Sequence, residues 1–182
     1  MAQDILTTLR KLNHMIAILV GIMLLICAAV ILLDIVFRQL GASLGGTDEI
    51  SGYVMAIATS WGMAFTLLEL GHVRIDLLRG QVSARGRAMF DLGSMLVLSS
   101  TVTLIAVMSW PVLARSIANS SKANTPLETP LAWVQAPWFA GWVWFSVVAW
   151  LTFIAAAMLV RKGEFTQSEA AIGAFGEEEA VK

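Results

Sequence analysis

The sequence predicts an all-α integral membrane protein built from four helices. Of its 182 residues, 58% are hydrophobic and only 14% are charged, whereas soluble domains are about 45–50% apolar and about 25% charged. Four stretches are almost free of charge, and each approaches or exceeds the roughly 20 residues that a helix needs to cross about 30 Å of hydrocarbon. Helices are required because backbone groups in lipid must pair within their own segment. We expect a single four-span domain of residues 1–162, with helices at about residues 15–37, 50–70, 88–114 and 137–160.

The first apolar stretch, Met15–Leu33, predicts a retained helix. A cleaved signal peptide usually has a shorter apolar core, of about 7–15 residues. Cys27 lies in this stretch and is the single cysteine of the chain. This excludes an intramolecular disulfide and a dithiol redox site.

Two pairs of opposite charge stand near span ends. Asp34 and Arg38 close the first span, and Arg87 and Asp91 open the third. Because residues four apart share a helical face, we expect two interfacial ion pairs.

The second span begins with Thr47, Asp48 and Glu49, after a glycine-rich loop. Thr or Asp is a favoured N-cap, and acids in the first turn suit the positive end of the helix dipole. Two interpretations of the acidic pair stay open, namely capping of this helix and contact with a partner.

The fourth span is expected to begin at Pro137, because proline is favoured as the first helical residue. Residues 131–136 would then lie along the membrane interface. After the span, residues 163–182 contain five glutamates. We expect this segment to be an acidic, flexible cytoplasmic tail.

The positions of Lys and Arg predict that both termini are cytoplasmic. Eight of these residues flank one side of the spans, in the N-terminal tail, the second loop and the end of the fourth span, and three flank the other. Positive charge concentrates on the cytoplasmic side. The second loop, with its charged motif from Glu69 to Asp76, is therefore expected at the cytoplasmic face.

The interior of the spans offers hydroxyl groups and no charge. A carrier that works alone usually needs ionisable groups there, whereas Thr59, Ser60 and the run 99–103 are better suited to close helix packing. Trp61 and Trp150 also lie mid-span. They either fill space between the helices or contact a neighbouring protein, and the sequence leaves both open.

Cofactor, metal and catalytic roles find no support in the sequence. A haem site needs histidine at membrane depth, but His14 and His72 fall at span ends. Glu69, His72 and Asp76 would share a face if the second helix continued, yet one imidazole with two carboxylates at a charged surface is a poor metal site. No phosphate-binding loop, nucleophile elbow or HExxH motif is present. We therefore expect no enzyme activity and no cofactor, and infer that a partner supplies the activity.

Several motifs together resemble the small permease subunit, of the DctQ type, of tripartite ATP-independent periplasmic (TRAP) transporters. The similarity lies in the Asp-Glu pair that opens the second span, a tryptophan within it, and a Glu-x-x-His-x-Arg-x-Asp motif at its end. The four spans and the proline- and tryptophan-containing entry to the last span are also similar. The candidate subunit-interface or structural residues are Asp48, Glu49, Trp61, Glu69, His72, Arg74 and Asp76.

The resemblance implies a subunit of the bacterial inner membrane with two partners. A periplasmic binding protein would deliver an organic acid, expected to be a carboxylate. A large, many-helix permease subunit of the elevator type would carry the substrate and sodium sites, and the small subunit would scaffold it. The sodium gradient would thus be used by the partner. The alternative is a stand-alone small channel or drug-type transporter that acts as a homo-oligomer.

Three interpretations of His72, Arg74 and Asp76 stay open. The cluster could be a structural cap at the membrane surface, since its polar residues alternate with apolar ones. It could be a contact with the large subunit, which is compatible with a cap. A substrate or regulatory role is the third.

Overall fold

The computed structural model describes residues 2–72 and 82–173, and these residues are predominantly helical. The helices are α1 (Ala2–Gln39), α2 (Thr47–Leu68), α3 (Ala84–Ala118), α4 (Leu131–Arg161) and the short α5 (Phe165–Ile172). The first four are long and apolar enough to cross a membrane. The prediction of an all-α, four-span protein is confirmed.

The helices extend beyond the apolar stretches from which they were predicted. α1 begins at Ala2 because Leu6 and Leu9 are buried near its start and belong to the hydrophobic core. α4 begins at Leu131, so the prediction that Pro137 is its first residue is wrong. Pro130 is the N-cap, and Pro137 lies inside the helix. Proline is tolerated within membrane helices because neighbouring groups can satisfy the backbone group that it leaves unpaired.

The segment after α4 also differs from the prediction of a flexible tail over residues 163–182. Part of it forms α5, which packs on α3 and α4. Ala171 and Ile172 are buried there in the same core as Leu6 and Leu9. The last nine residues lie outside the described part of the chain.

The four long helices form a layer in the order α1, α2, α4, α3. α1 packs on α2, α2 on α4, and α4 on α3, while α1 reaches α4 mainly through its first turns. None of the residues in the most apolar window of α1 is buried, whereas almost half of those in the window of α4 are. α4 is therefore a central helix, and α1 is an edge of the layer. We call the end at which α1 begins the lower end, and the opposite end the upper end.

The face that α3 turns towards the layer has small side chains at helical spacing. Its buried positions recur every three or four residues, as expected for one face of a helix. They are Ala88, Asp91, Met95, Ser99, Val102, Ala106, Ser109, Leu113 and Ser116. Small and hydroxylic side chains allow close approach of helices in lipid, as the sequence led us to expect for the hydroxyl run.

Two mid-span tryptophans join α4 to its neighbours. The Nε1–H of Trp61 in α2 donates to the carbonyl oxygen of Pro137 at 2.9 Å. The Nε1–H of Trp150 in α4 donates to the hydroxyl of Thr103 in α3 at 2.8 Å, and that hydroxyl lies 2.8 Å from the hydroxyl of Ser146. Both indoles therefore lie between helices of the layer, which favours the first of the two roles left open for them.

A third tryptophan joins α4 to α1. The Nε1–H of Trp144 donates to Asn13 Oδ1 at 3.0 Å. Asn13 is completely buried, and its amide also donates to the carbonyl of Leu9 at 2.9 Å. Each of the other three long helices is thus hydrogen-bonded to α4 through an indole.

Gly141 allows the close approach of α4 to α2. A Cβ at this position would overlap Ser60 Oγ and come within 2.8 Å of Ser60 Cβ and 2.9 Å of Trp61 Cδ1. We predict that Gly141→Ala destabilises the protein by about 1–3 kcal/mol, the usual cost of overpacking a well-packed core. The measurement is unfolding of the purified protein in mixed micelles with a rising fraction of denaturing detergent.

The matched control is Gly93→Ala in α3, where a Cβ would meet nothing within 4 Å. That substitution should leave stability unchanged or raise it slightly, since alanine is the better helix former. Equal effects of the two substitutions would contradict a close α2–α4 contact at Gly141.

Candidate functional sites at the two ends of the layer

At the upper end, the carboxylate of Asp34 organises the junction between α1 and α2. Its side chain is almost completely buried, at 2% exposure. Oδ1 accepts from the backbone N–H of Leu44 at 2.7 Å and from the hydroxyl of Ser43 at 3.1 Å. Oδ2 accepts from the hydroxyl of Thr47 at 2.8 Å, and from Nε and Nη2 of Arg38 at 2.8 and 2.7 Å. One carboxylate thus binds the end of α1, the first loop and the start of α2.

This junction contains the Asp34–Arg38 ion pair that the spacing predicts, but it is larger than a pair. Thr47 is the first residue of α2 rather than its N-cap, and its hydroxyl is used by Asp34. The N-cap is Gly46, in a left-handed conformation at φ 69° that glycine adopts readily. Leu127 of the third loop packs so close to Gly46 that a Cβ there would collide with it.

The two acids at the start of α2 have different surroundings. Asp48 is 94% exposed, and its Oδ2 lies 3.8 Å from Nη2 of Arg38. Glu49 is half-buried and accepts from the hydroxyl of Tyr53 at 2.6 Å. The hydroxyl of Thr125 in the third loop lies beside the same carboxylate. Glu49 therefore contacts the third loop, while Asp48 is available at the surface.

At the lower end, α2 stops before the charged motif. The N–H of Gly71 donates to the carbonyl of Thr66 at 2.8 Å, a hydrogen bond that closes a helix at its C-terminus. Glu69 is exposed. The ring of His72 is half-buried and stacks on Phe145 of α4, with centroids 6.3 Å apart and an interplanar angle of 24°.

α2 ends at Leu68, before the groups considered for a metal site. Glu69, His72 and Asp76 could share a helical face only if the helix continued. Within residues 2–72 and 82–173, no group of three histidine, cysteine or acidic side chains is placed to hold a metal ion. Arg74 and Asp76 lie outside the described residues, so the three interpretations of this cluster stay predictions.

Helix α5 joins α1 to α3 at the lower end. Arg87 Nη1 of α3 lies 3.6 Å from Glu169 Oε1, and Arg10 Nη2 of α1 donates to the carbonyl of Ala170 at 3.2 Å. The ion pair predicted for Arg87 was with Asp91, one turn further along α3. Asp91 is buried in the layer at 3% exposure, and its ion pair with Arg87 stays a prediction.

Two features of these sites were missed by the sequence reasoning, namely the buried Asn13 and helix α5. Asn13 stands immediately before an apolar stretch, and its partner Trp144 is 131 residues away. Helix α5 carries apolar or small side chains at positions 165, 168, 171 and 172, a helical spacing that could have been recognised. The flexible tail was predicted instead because several glutamates lie around this segment.

Replacement of Asp34 should loosen the upper junction. In Asp34→Asn, the amide group would face donors from Thr47 or Leu44, and at least one buried donor would lose its acceptor. We predict a thermal unfolding midpoint in detergent that is several degrees lower, and faster proteolysis within residues 41–46, mapped by peptide mass spectrometry.

The matched control is Asp48→Asn, because this carboxylate is exposed and its contact with Arg38 is long. Exposed ion pairs contribute little to stability, so the midpoint should stay close to that of the wild type. A control that lowers the midpoint as much as Asp34→Asn would contradict the role given to Asp34.

Comparison with known proteins agrees with the resemblance drawn from the motifs. The family model of the DctQ component of tripartite ATP-independent periplasmic transporters matches residues 27–149. This match covers about two thirds of the chain, from the middle of α1 to the middle of α4. Comparison with curated proteins and with solved structures gave no match.

The matched region contains the Asp34 junction, the acidic pair of α2, the Glu69–Asp76 motif and the tryptophans that join α2 and α1 to α4. The family match and the four helices able to cross a membrane together identify the chain as a transport component of the inner membrane. The chain belongs to the DctQ family and is the small membrane subunit of a tripartite ATP-independent periplasmic transporter.

Proposed function

We propose that this subunit scaffolds the large permease subunit and takes no direct part in moving substrate. The observation that carries the proposal is the open layer of helices. A carrier needs an enclosed path with polar or ionisable groups. Between the charged ends of the four long helices, the chain has no ionisable side chain other than Cys27 and Tyr53, and the helices lie side by side.

An open layer also suits a partner on its surface. α1 is joined to the layer mainly by its two ends and by α2, and its middle is covered by no other described helix. In hydrocarbon, helices associate through close packing and hydrogen bonds instead of the hydrophobic effect. A large partner could therefore extend the layer without displacing any of its internal contacts.

The transport chemistry would then reside in the partners. We propose sodium-coupled uptake of an organic acid, expected to be a carboxylate, which a periplasmic binding protein delivers. The large subunit, of the many-helix elevator type, would carry both the substrate and the sodium sites. The small subunit would lie with both termini in the cytoplasm, as the distribution of Lys and Arg supports.

Purification and reconstitution test this division of labour. The tagged chain, expressed with the adjacent transport genes, should co-purify in equimolar amounts with a large membrane subunit. Vesicles with both subunits, given the binding protein and an inward sodium gradient, should accumulate labelled substrate. Vesicles with this chain alone should accumulate none, and uptake by the chain alone would contradict the scaffold role and favour the stand-alone channel or transporter.

The charged motif after α2 gives a second test of the same role. If the motif contacts the large subunit, loss of either charge leaves its partner unpaired at the interface, at a cost of about 2–5 kcal/mol. We therefore predict that Arg74→Ala and Asp76→Ala each lower the yield of the complex by about tenfold or more. Substrate affinity of the isolated binding protein should stay unchanged. The measurement is the ratio of large to small subunit after affinity purification.

The matched control is Arg85→Ala, which removes an exposed arginine at the start of α3. It should not change that ratio. A normal ratio in the Arg74 and Asp76 variants, together with an altered sodium dependence of transport, would instead indicate a site within this chain.

A further inference from the structure

An apolar groove runs between α1 and α2 on the surface of the layer. Its volume is about 310 Å³, and its walls are almost entirely hydrocarbon. Leu19, Cys27 and Val30 line the α1 side, and Ile50 and Val54 line the α2 side. The groove lies within the predicted hydrocarbon depth, because both helices are free of charge over these residues.

The groove lies between two attachments of α1 to the rest of the layer. At the lower end, Asn13 is hydrogen-bonded to α4, and Leu6 and Leu9 are buried in the core. At the upper end, Asp34 is hydrogen-bonded to the first loop and α2. Between these attachments α1 packs on α2 with a face that is only half-buried, at residues such as Met23, Cys27 and Val30.

The dimensions of the groove favour a single chain of carbon atoms. On α1 it extends from Leu19 to Ile31, which is about 18 Å along a helix. This is a little more than half of the roughly 30 Å hydrocarbon thickness, and so about one leaflet. A transmembrane helix, about 10–12 Å wide with its side chains, is too wide to enter it and would span both leaflets.

The upper mouth of the groove carries complementary charges for a lipid headgroup. Thr47 lines the groove there, and Nη2 of Arg38 lies 3.3 Å from its hydroxyl. Arg38 is 48% exposed and contacts Asp34 through Nε and Nη2, so the N–H groups of Nη1 make none of these contacts. Guanidinium N–H groups bind phosphate oxygens well. The exposed carboxylate of Asp48 is close by and could pair with an ammonium group.

We propose that this groove binds one phospholipid, with an acyl chain between α1 and α2 and the phosphate at Arg38. An ammonium-bearing headgroup such as ethanolamine matches the charges of Arg38 and Asp48 together. The bound lipid fills the gap along the edge of the layer. The site consists of described residues of this chain alone, and it takes up only the α1–α2 groove of the surface that is open to a partner.

Photolabelling by a phospholipid tests the site in the assembled complex. The complex is reconstituted into phosphatidylethanolamine and phosphatidylglycerol vesicles that contain a small fraction of phosphatidylethanolamine with a diazirine in mid-chain. After illumination, labelled positions are mapped by peptide mass spectrometry. We expect labelling at Cys27, Val30 and Val54 to exceed several-fold that at Leu25, which is 72% exposed and lines no part of the groove.

Two variants separate a specific site from general exposure to lipid. Val30→Trp places a bulky side chain in the groove and should reduce labelling at Cys27 and Val54 several-fold. Leu32→Trp changes an exposed residue of α1 outside the groove lining and should leave that labelling unchanged. Both variants should still co-purify with the large subunit.

The results that overturn the proposal are distinct. Equal labelling of groove residues and Leu25 would mean that the groove has no preference for lipid. Weaker labelling of the groove than of Leu25 would mean that protein covers it. Neither result bears on whether the chain scaffolds the large subunit, which the purification and transport assays decide.

Discussion

Three indole N–H groups find their acceptors on neighbouring helices, and these hydrogen bonds help to hold the layer together. Trp61 donates to α4, while Trp144 and Trp150 donate from α4 to α1 and α3. Each bond is modest by itself, at about 1 kcal/mol or less between membrane helices. All three hydrogen bonds involve α4, so the other three long helices are each attached to this helix.

The arrangement of the remaining contacts follows from this central position. α4 contributes bulky Phe145 and the small residues Ala149, Ala155 and Ala156 to the core, and all four are buried at 1% exposure or less. α1 has no such core along its middle. Its place in the layer depends on packing against α2, on the buried Leu6 and Leu9, and on the hydrogen bonds of Trp144 below and Asp34 above. An edge helix held in this way suits a subunit whose surface is completed by other molecules.

The sequence predicts the parts of this structure whose partners are close in the chain. Four spans follow from apolar length, and the contact of Asp34 with Arg38 follows from a spacing of four residues. Fold class and family could therefore be inferred from short motifs and composition. The candidate residues at the ends of α2 could also be named, because they interrupt apolar sequence.

Contacts between distant residues could not be predicted in the same way. The acceptor of the Trp144 N–H is 131 residues away, and nothing in the pattern around Asn13 specifies it. The start of α4 was misplaced because proline is favoured at the first position of a helix, whereas here Pro137 is tolerated within it. α5 was missed because the glutamates in and around it suggest disorder, while its packing depends on residues near the starts of α1 and α3.

The lengths of the helices have a consequence for the membrane itself. α2 has 22 residues and spans roughly 33 Å, which matches the hydrocarbon thickness, whereas α1, α3 and α4 have 38, 35 and 31 residues and span roughly 46–57 Å. Arg10 and Lys11 indicate that the first turns of α1 stand in water, beside α5. At the lower end the starts of α1 and α3, together with α5, therefore project beyond the end of α2. Any subunit that packs along α2 has to accommodate the difference in length between α2 and these longer helices.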